Sequence, residues 1–262
     1  IAINVIVRLV IFNRISITMP TLPEAPARLR IRQIAVCAPD IRPVEREAEQ
    51  LLNITPVHRD RPGAPIYMYN GVFAVGHTFL EILQPEREEA PTTKFLNKQG
   101  GAAGYMLILQ VDDLDKARAR CEAANVRVVW EIPLSDHHGV EGGAIHLHPG
   151  DTRGALTSFD YMTDWDSWAW AGRAWPWHQR NDVVKAIIGA EISSETPNEV
   201  ADKYAQMTGR DAEDGVIQLD DSYIRFVSGE GRDRLTGIDM TATDRSRVGE
   251  SFEIARTTIR LV

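Results

Sequence analysis

Glu81 lies in an apolar strand-like run, FLEIL, with Phe79 and Leu83 beside it on the same face. A carboxylate in such surroundings has its pKa raised and can serve as a general base near neutral pH, which suits removal of a proton next to a carbonyl. The competing interpretation is a buried structural glutamate paired with an arginine such as Arg32. His146 and His148 stand two apart in AIHLHP, so on a strand both project from one face. Two imidazoles there could bind a metal ion or donate to a developing negative charge, or simply be hydrogen-bonded strand histidines. His137 and His138 fall in a loop-like stretch, SDHHGVEGG, expected over a cleft mouth and solvated. The basic segment VHRDRP, with His58, Arg59 and Arg61, does not by itself select a phosphate-bearing partner.

Regular elements must position these groups. Residues 29–38, LRIRQIAVCA, read as a strand, Asp40 and Pro43 as helix-start signals, and Val44, Ala48, Leu51 and Leu52 as one helical face. The run IYMYNGVFAVGHTFLEIL then reads as antiparallel strands broken at Asn70-Gly71 and Gly76. The order restarts with GYMLILQV, a helix capped by Asp112 or Asp113 with Leu114, Ala117, Cys121 and Ala124 inside, and the strands VRVVWEI, GGAIHLHP and GALTSFDYM. VVKAIIGAEI and the capping box Thr196-Pro197-Asn198-Glu199 open a third unit. The segments FAVGHTFLEIL, IQLDDSYIRFV and FEIARTTIRLV align without gaps, placing Arg225 and Arg260 where the first has Glu81. Three and a half modules follow from this pattern.

The phrases QIAVCAPDI, FLEILQP, KFLNKQGGAAGYMLILQVDDLDKA and AIHLHPGDTRGALTSF resemble the vicinal-oxygen-chelate, or glyoxalase-like, superfamily, and within it methylmalonyl-CoA epimerases. The resemblance implies an α+β fold in which tandem βαβββ modules form curved mixed sheets around a cleft, with a second, partly abbreviated module pair at the C-terminus. It also implies a divalent metal on the cleft floor, held by the side chains at Gln33, Glu81, Met106 and Ser158. Only Gln33 and Glu81 are competent donors, since Met106 offers a soft thioether and Ser158 a neutral hydroxyl. The implied function is action on a small carbonyl-bearing molecule, as an isomerase, epimerase or lyase, by proton transfer at Glu81 with His146 assisting. Tyr105, Met106, Ser158, His148 and Trp130 are then the expected substrate contacts. A catalytically silent binding protein of the same fold is the alternative.

The expected organisation is an extension over 1–28, paired modules over 29–162, a Trp-rich linker over 163–182 and a second, incomplete pair over 183–262. The linker packs Trp165, Trp168, Trp170, Trp175 and Trp177 into a short stretch. Its indoles are expected either to wedge the two halves together or to line an aromatic pocket. Residues 1–18 are apolar but carry Asn4, Arg8, Asn13 and Arg14, which argues against a membrane span. They read as an upstream extension or an added edge strand.

A net charge of −8 disfavours nucleic-acid and anionic-membrane partners, leaving a small-molecule ligand. The C-terminal half holds no histidine beyond His178, so an iron site of the extradiol-dioxygenase kind is not expected there. Cys37 and Cys121 are too few for a disulfide framework and fit a reducing cytoplasm. With no glycine-rich phosphate loop or serine elbow, no nucleotide cofactor is expected. The tandem copies permit pairing within one chain, as a monomer or as a homodimer.

Overall fold

A computed structural model of the protein describes residues 22–61, 63 and 67–262. The expectation for residues 1–18 lies outside them. Alternating side chains build the first module as β1 (Leu29–Cys37), α1 (Ile41–Leu52), β2 (Pro56–His58), β3 (Met68–Val75) and β4 (Thr78–Pro85). Asp40 caps α1 by accepting from the Arg42 N–H, and Asn53 ends it in the left-handed conformation. A connecting helix, α2 (Pro91–Gln99), leads to the second module: β5 (Ala103–Val111), α3 (Leu114–Ala123), β6 (Val128–His137), β7 (Val140–Leu147), α4 (Pro149–Thr152) and β8 (Leu156–Met162). Asp113 caps α3 through the Lys116 N–H.

These strands form one eight-stranded sheet in the order β2-β3-β4-β1-β5-β8-β7-β6. The central pair β1/β5 is antiparallel, while β4 lies parallel to β1 and β8 parallel to β5, so the two modules meet about an approximate twofold axis. A bulge between Ile31 and Gln33 shifts the alternation of β1. Gln33, Ala35 and Cys37 therefore face one side, and Ile34 and Val36 the other.

The remaining strands are β9 (Val184–Ser194), β10 (Ala212–Glu213), β11 (Val216–Gln218), β12 (Tyr223–Ser228), β13 (Arg234–Ala242), β14 (Ser251–Ile254) and β15 (Thr257–Leu261), with α5 (Pro197–Thr208) after β9. They form a seven-stranded sheet, β10-β11-β12-β9-β13-β15-β14. In its last module a single turn of 3₁₀ helix, Arg245–Arg247, stands in place of the long helix. The architecture is α+β, with tandem βαβββ modules in curled mixed sheets and an abbreviated final unit.

One apolar core runs between the two halves, from Ile31, Ile34 and Leu109 to Ile187, Ile192 and Ile238, with Tyr204 of α5 also buried in it. Polar ties reinforce it. The Leu29 and Ile31 N–H groups donate to Asp220 and Ser222, and Arg153 binds Asp233 and Glu199. The Thr196 hydroxyl donates to Glu199 rather than capping the α5 backbone, because Arg153 draws both side chains to itself. Among the described residues no helix is long and apolar enough to cross a membrane.

Three local expectations are corrected. β3 runs straight through Asn70-Gly71, where the glycine leaves room for the Glu45 carboxylate and Asn70 faces inward. His137 and His138 belong to the tip of the β6/β7 hairpin rather than to a long loop, with His138 and Gly139 at the positive φ values a tight hairpin turn requires. The tryptophan segment does not wedge the two halves together. It folds back into the hollow face of the first sheet, where Trp168, Ala169, Ala171 and Trp175 pack on Val72, Ala74, Phe79, Met106 and Ile108.

Candidate functional site

The floor of that hollow is built by the four central strands. Ala35 of β1 pairs with both Glu81 of β4 and Met106 of β5, and Ile108 of β5 pairs with both Gln33 and Ser158 of β8. The four side chains expected on the floor are therefore brought together at its centre. Their chemistry differs from a metal site. Gln33 Nε2 donates to Glu81 Oε2 at 2.8 Å, and Asn70 Nδ2 donates to Glu81 Oε1 at 2.9 Å. Trp168 Nε1 donates to Gln33 Oε1 at 2.7 Å. The Ser158 hydroxyl donates to Asp160 Oδ1 at 2.6 Å, and Trp170 Nε1 donates to Asp160 Oδ2 at 2.6 Å. Each expected donor atom is already engaged within the chain, and Met106 adds only a thioether, so this floor does not fit a divalent ion.

Burial dominates the electrostatics. It pushes the Glu81 carboxyl up to about 7 against the opposing hydrogen bond from Asn70, with the charge of Asp60 adding to the rise and Gln33 opposing it. Burial likewise raises Asp160 to about 7, against the hydrogen bonds from Ser158 and Trp170. Two carboxyl groups that titrate near neutrality thus flank the central β1/β5 pair, one from each module. Sequence reasoning missed Asp160, although its spacing of two from Ser158 places it on the same strand face.

Arg32 is fully buried but is not Glu81's partner. Its Nη2 donates to the backbone oxygens of Asp166 and Ser167 at 2.8 and 3.2 Å, while Nε and Nη1 have no partner among the described residues. The guanidinium lies near the faces of Phe79, Trp168 and Trp175, and burial lowers its pKa to about 9. Arg32 thereby holds the start of the tryptophan segment over the floor.

The other expected residues divide into two groups. His146 of β7 pairs with Ser158 and stacks edge-on to Trp130 at 4.9 Å; burial lowers it to about 4, so it is neutral at pH 7. Tyr105 packs against Phe95 beside the same apolar cluster, its phenol raised by burial. His148 is not brought to the floor. Its Nδ1 accepts from the Gly150 N–H to cap α4 and faces Arg127 and Asp151.

The second sheet has the same register with other residues. Glu191 pairs with Arg225 and Gly237, and Asp239 pairs with Gly189 and Arg260, so Gly189, Arg225, Gly237 and Arg260 occupy the positions of Gln33, Glu81, Met106 and Ser158. Arg225 and Arg260 each contact both Glu191 and Asp239 within 3.0 Å. Burial alone would raise both acids, but hydrogen bonds and the arginine charges hold them below the usual range.

No family model matches the chain. By sequence it is similar to the mitochondrial methylmalonyl-CoA epimerase of Bos taurus, 25% identical over 134 residues that span 50% of this chain and 73% of that one. It is also similar to the ethylmalonyl-CoA/methylmalonyl-CoA epimerase of Cereibacter sphaeroides, 28% identical over 136 residues that span 51% of this chain and 98% of the relative. A crystal structure of a hypothetical protein from Staphylococcus aureus shares the fold at a TM-score of 0.69 and 12% identity, over 89% of this chain and 99% of that one. Sequence likeness to these epimerases in the first half, together with paired βαβββ modules in both, supports a likeness of this chain to the glyoxalase-like proteins of the vicinal-oxygen-chelate superfamily.

Proposed function

We propose that the hollow of the first sheet is a proton-transfer site for a small carbonyl-bearing molecule, of the isomerase or epimerase type, with Glu81 as the base. The observation that carries this reading is a buried carboxylate raised to about 7, both of its oxygens fixed by amide donors, in an apolar hollow. Glu81 would take the proton next to the carbonyl and leave an enolate, whose oxygen the unpartnered N–H groups of Arg32 are able to receive. Asp160, from the other module, would return a proton from the opposite side and so invert the carbon. The names of the relatives point to acyl-CoA esters as the first substrates to try. Cys37 and Cys121 are free, buried and pushed up to about 12, which suits a reducing compartment and no thiol chemistry.

Trp168 must leave for a substrate to reach Glu81, because it is fully buried and bonded to Gln33. Exposing one such indole costs on the order of 5 kcal/mol at about 25 cal/mol per Å². Substrate binding has to offset this, as with other closing segments. The same observation favours a second reading, in which the segment is a permanent plug and the floor is catalytically silent.

Deuterium incorporation next to the thioester carbonyl of methylmalonyl-CoA and simpler acyl-CoA esters, followed by NMR in heavy water, separates the two. Turnover by the wild type that falls at least ~100-fold in Glu81→Gln supports the base. Absence of exchange in both the wild type and Trp168→Ala, with the variant folded, leaves the silent reading.

A further inference from the structure

The hollow has a second cluster at its mouth, outside the floor. Across the sheet order, β2 and β6 are the two edge strands. The sheet curls so far that His58 at the end of β2 meets His138 at the tip of the β6/β7 hairpin, ring centroids 4.8 Å apart. Asp60 lies between them, its Oδ1 3.1 Å from His58 Nε2 and 3.6 Å from His138 Nε2. One ligand atom from each of the three residues falls within 4.8 Å of the others. Ligands about 2.0–2.1 Å from a tetrahedral ion sit roughly 3.3 Å apart, so small side-chain rotations suffice to complete that geometry.

The supporting shell is also in place. Asn70 Nδ2 donates to Asp60 Oδ2 at 2.7 Å, and the Asp60 N–H donates to Asn70 Oδ1 at 2.8 Å. Asp60 is thus held from behind, with Oδ1 turned toward the two imidazoles, as an outer-shell amide orients a ligating carboxylate. Two imidazoles and one carboxylate suit zinc and its late transition-metal neighbours rather than magnesium or calcium. His138 and Asp60 are half exposed, which gives an ion an entry path from solvent.

We propose that His58, Asp60 and His138 form a zinc-class metal site that clasps the two edges of the first sheet over the tryptophan segment. The segment lies directly beneath it: a side chain added at Gly172 would come within 3.1 Å of His58 Nδ1, and one added at Gly139, beside His138, would meet Arg173 at 3.1 Å. An ion bound at the clasp joins residues from both modules and stabilises the closed hollow. The site uses none of the four floor positions, so it stands whether or not Glu81 performs proton transfer.

Zinc titration of the full-length chain without a histidine tag, against a chromophoric chelator, tests this directly. One ion per chain is expected, with affinity weakened at least ~10-fold by His58→Ala, Asp60→Ala and His138→Asn, and unchanged by His148→Ala and His178→Ala. Asparagine at 138 keeps the residue type favoured by the hairpin turn, so loss of zinc there reports the ligand rather than the fold. Circular dichroism of each variant without metal checks that the fold is retained. Zinc at ~100-fold excess over its Kd is expected to raise the melting midpoint of the wild type by several degrees and not that of His138→Asn. No binding at ~100 µM zinc, or binding that survives the combined His58→Ala and His138→Asn changes, overturns the site.

Discussion

The two sheets solve the same geometric problem with opposite chemistry. Both bring four corresponding positions together at the centre of a curled face, in matching register. In the first, an indole covers the centre and the polar atoms bond one another, so Glu81 and Asp160 are buried, with no Lys or Arg joined to either among the described residues. In the second, two glycines clear space and two arginines fill it, each joined to Glu191 and Asp239. Desolvation governs the first floor and raises its acids; ion pairing governs the second and lowers them. Raised carboxyl groups are the ones suited to proton transfer at neutral pH, which is why the proposed chemistry is assigned to the first hollow rather than the second.

Removing the cover breaks this contrast most severely. Trp168→Ala would leave Gln33 Oε1 without its donor and a void against Phe79, whose ring stacks on Trp168 at 6.0 Å. A loss of roughly 3–5 kcal/mol in denaturant unfolding is expected. A loss below ~1 kcal/mol would mean that the segment is already mobile, and the first hollow would then resemble an open cleft.

The pH dependence of stability sharpens the comparison. Glu81 keeps its proton in the folded state to about 7, whereas the unfolded carboxyl loses it near 4.5. Protonation therefore contributes stability that is full below 4.5 and lost as pH rises through 7. Asp60, His58, Asp160, Cys37 and Tyr105 face this group, and Asp160 follows the same sign. His146 has the opposite sign, its contribution present above 6.5 and lost as pH falls toward 4, and it is common to wild type and variant. Glu81→Gln is thus expected to gain on the wild type by roughly 2–3 kcal/mol between pH 4.5 and 8, measured by unfolding at each pH. A flat difference would place Glu81 among well-solvated carboxylates and weaken its case as a base.

Much of this was legible in the residues, and the exceptions have physical causes. Alternation and caps located the strands and helices that carry Gln33, Glu81, Met106 and Ser158, because each is a local pattern in phase with one buried face. Asn70-Gly71 misled because its turn preference is local, while the need for a glycine beside Glu45 is tertiary. Asp160 was available from the two-residue period of β8 and needed only the alternation to be extended. The seat of Trp168, and the meeting of His58 with His138, depend on how far the sheet curls, which no spacing within one strand reports. Resemblance pointed to a metal at the floor, whereas the cluster proposed to hold one among the described residues, His58, Asp60 and His138, gathers at the rim.

The smallest perturbation compares the two floors at one shared position. Met106 in the first sheet corresponds to Gly237 in the second. A Cβ at Gly237 would lie 2.6 Å from Arg260 Nη1, close enough to displace that guanidinium from Asp239 and Glu191. The obstacle is the far end of a flexible, partly exposed arginine, and Arg225 still contacts both acids. Gly237→Ala should therefore cost less than ~1 kcal/mol, within the usual range of a partly solvated ion pair. Gly189→Ala sets the scale, since there the Cβ would meet the Tyr223 ring at 2.6 Å, and a ring cannot swing aside as a guanidinium can. If the two alanine variants lose equal stability, the Arg260 guanidinium is seated as rigidly as the Tyr223 ring, and the second floor is not the adaptable, partly solvated centre that the contrast with the first requires.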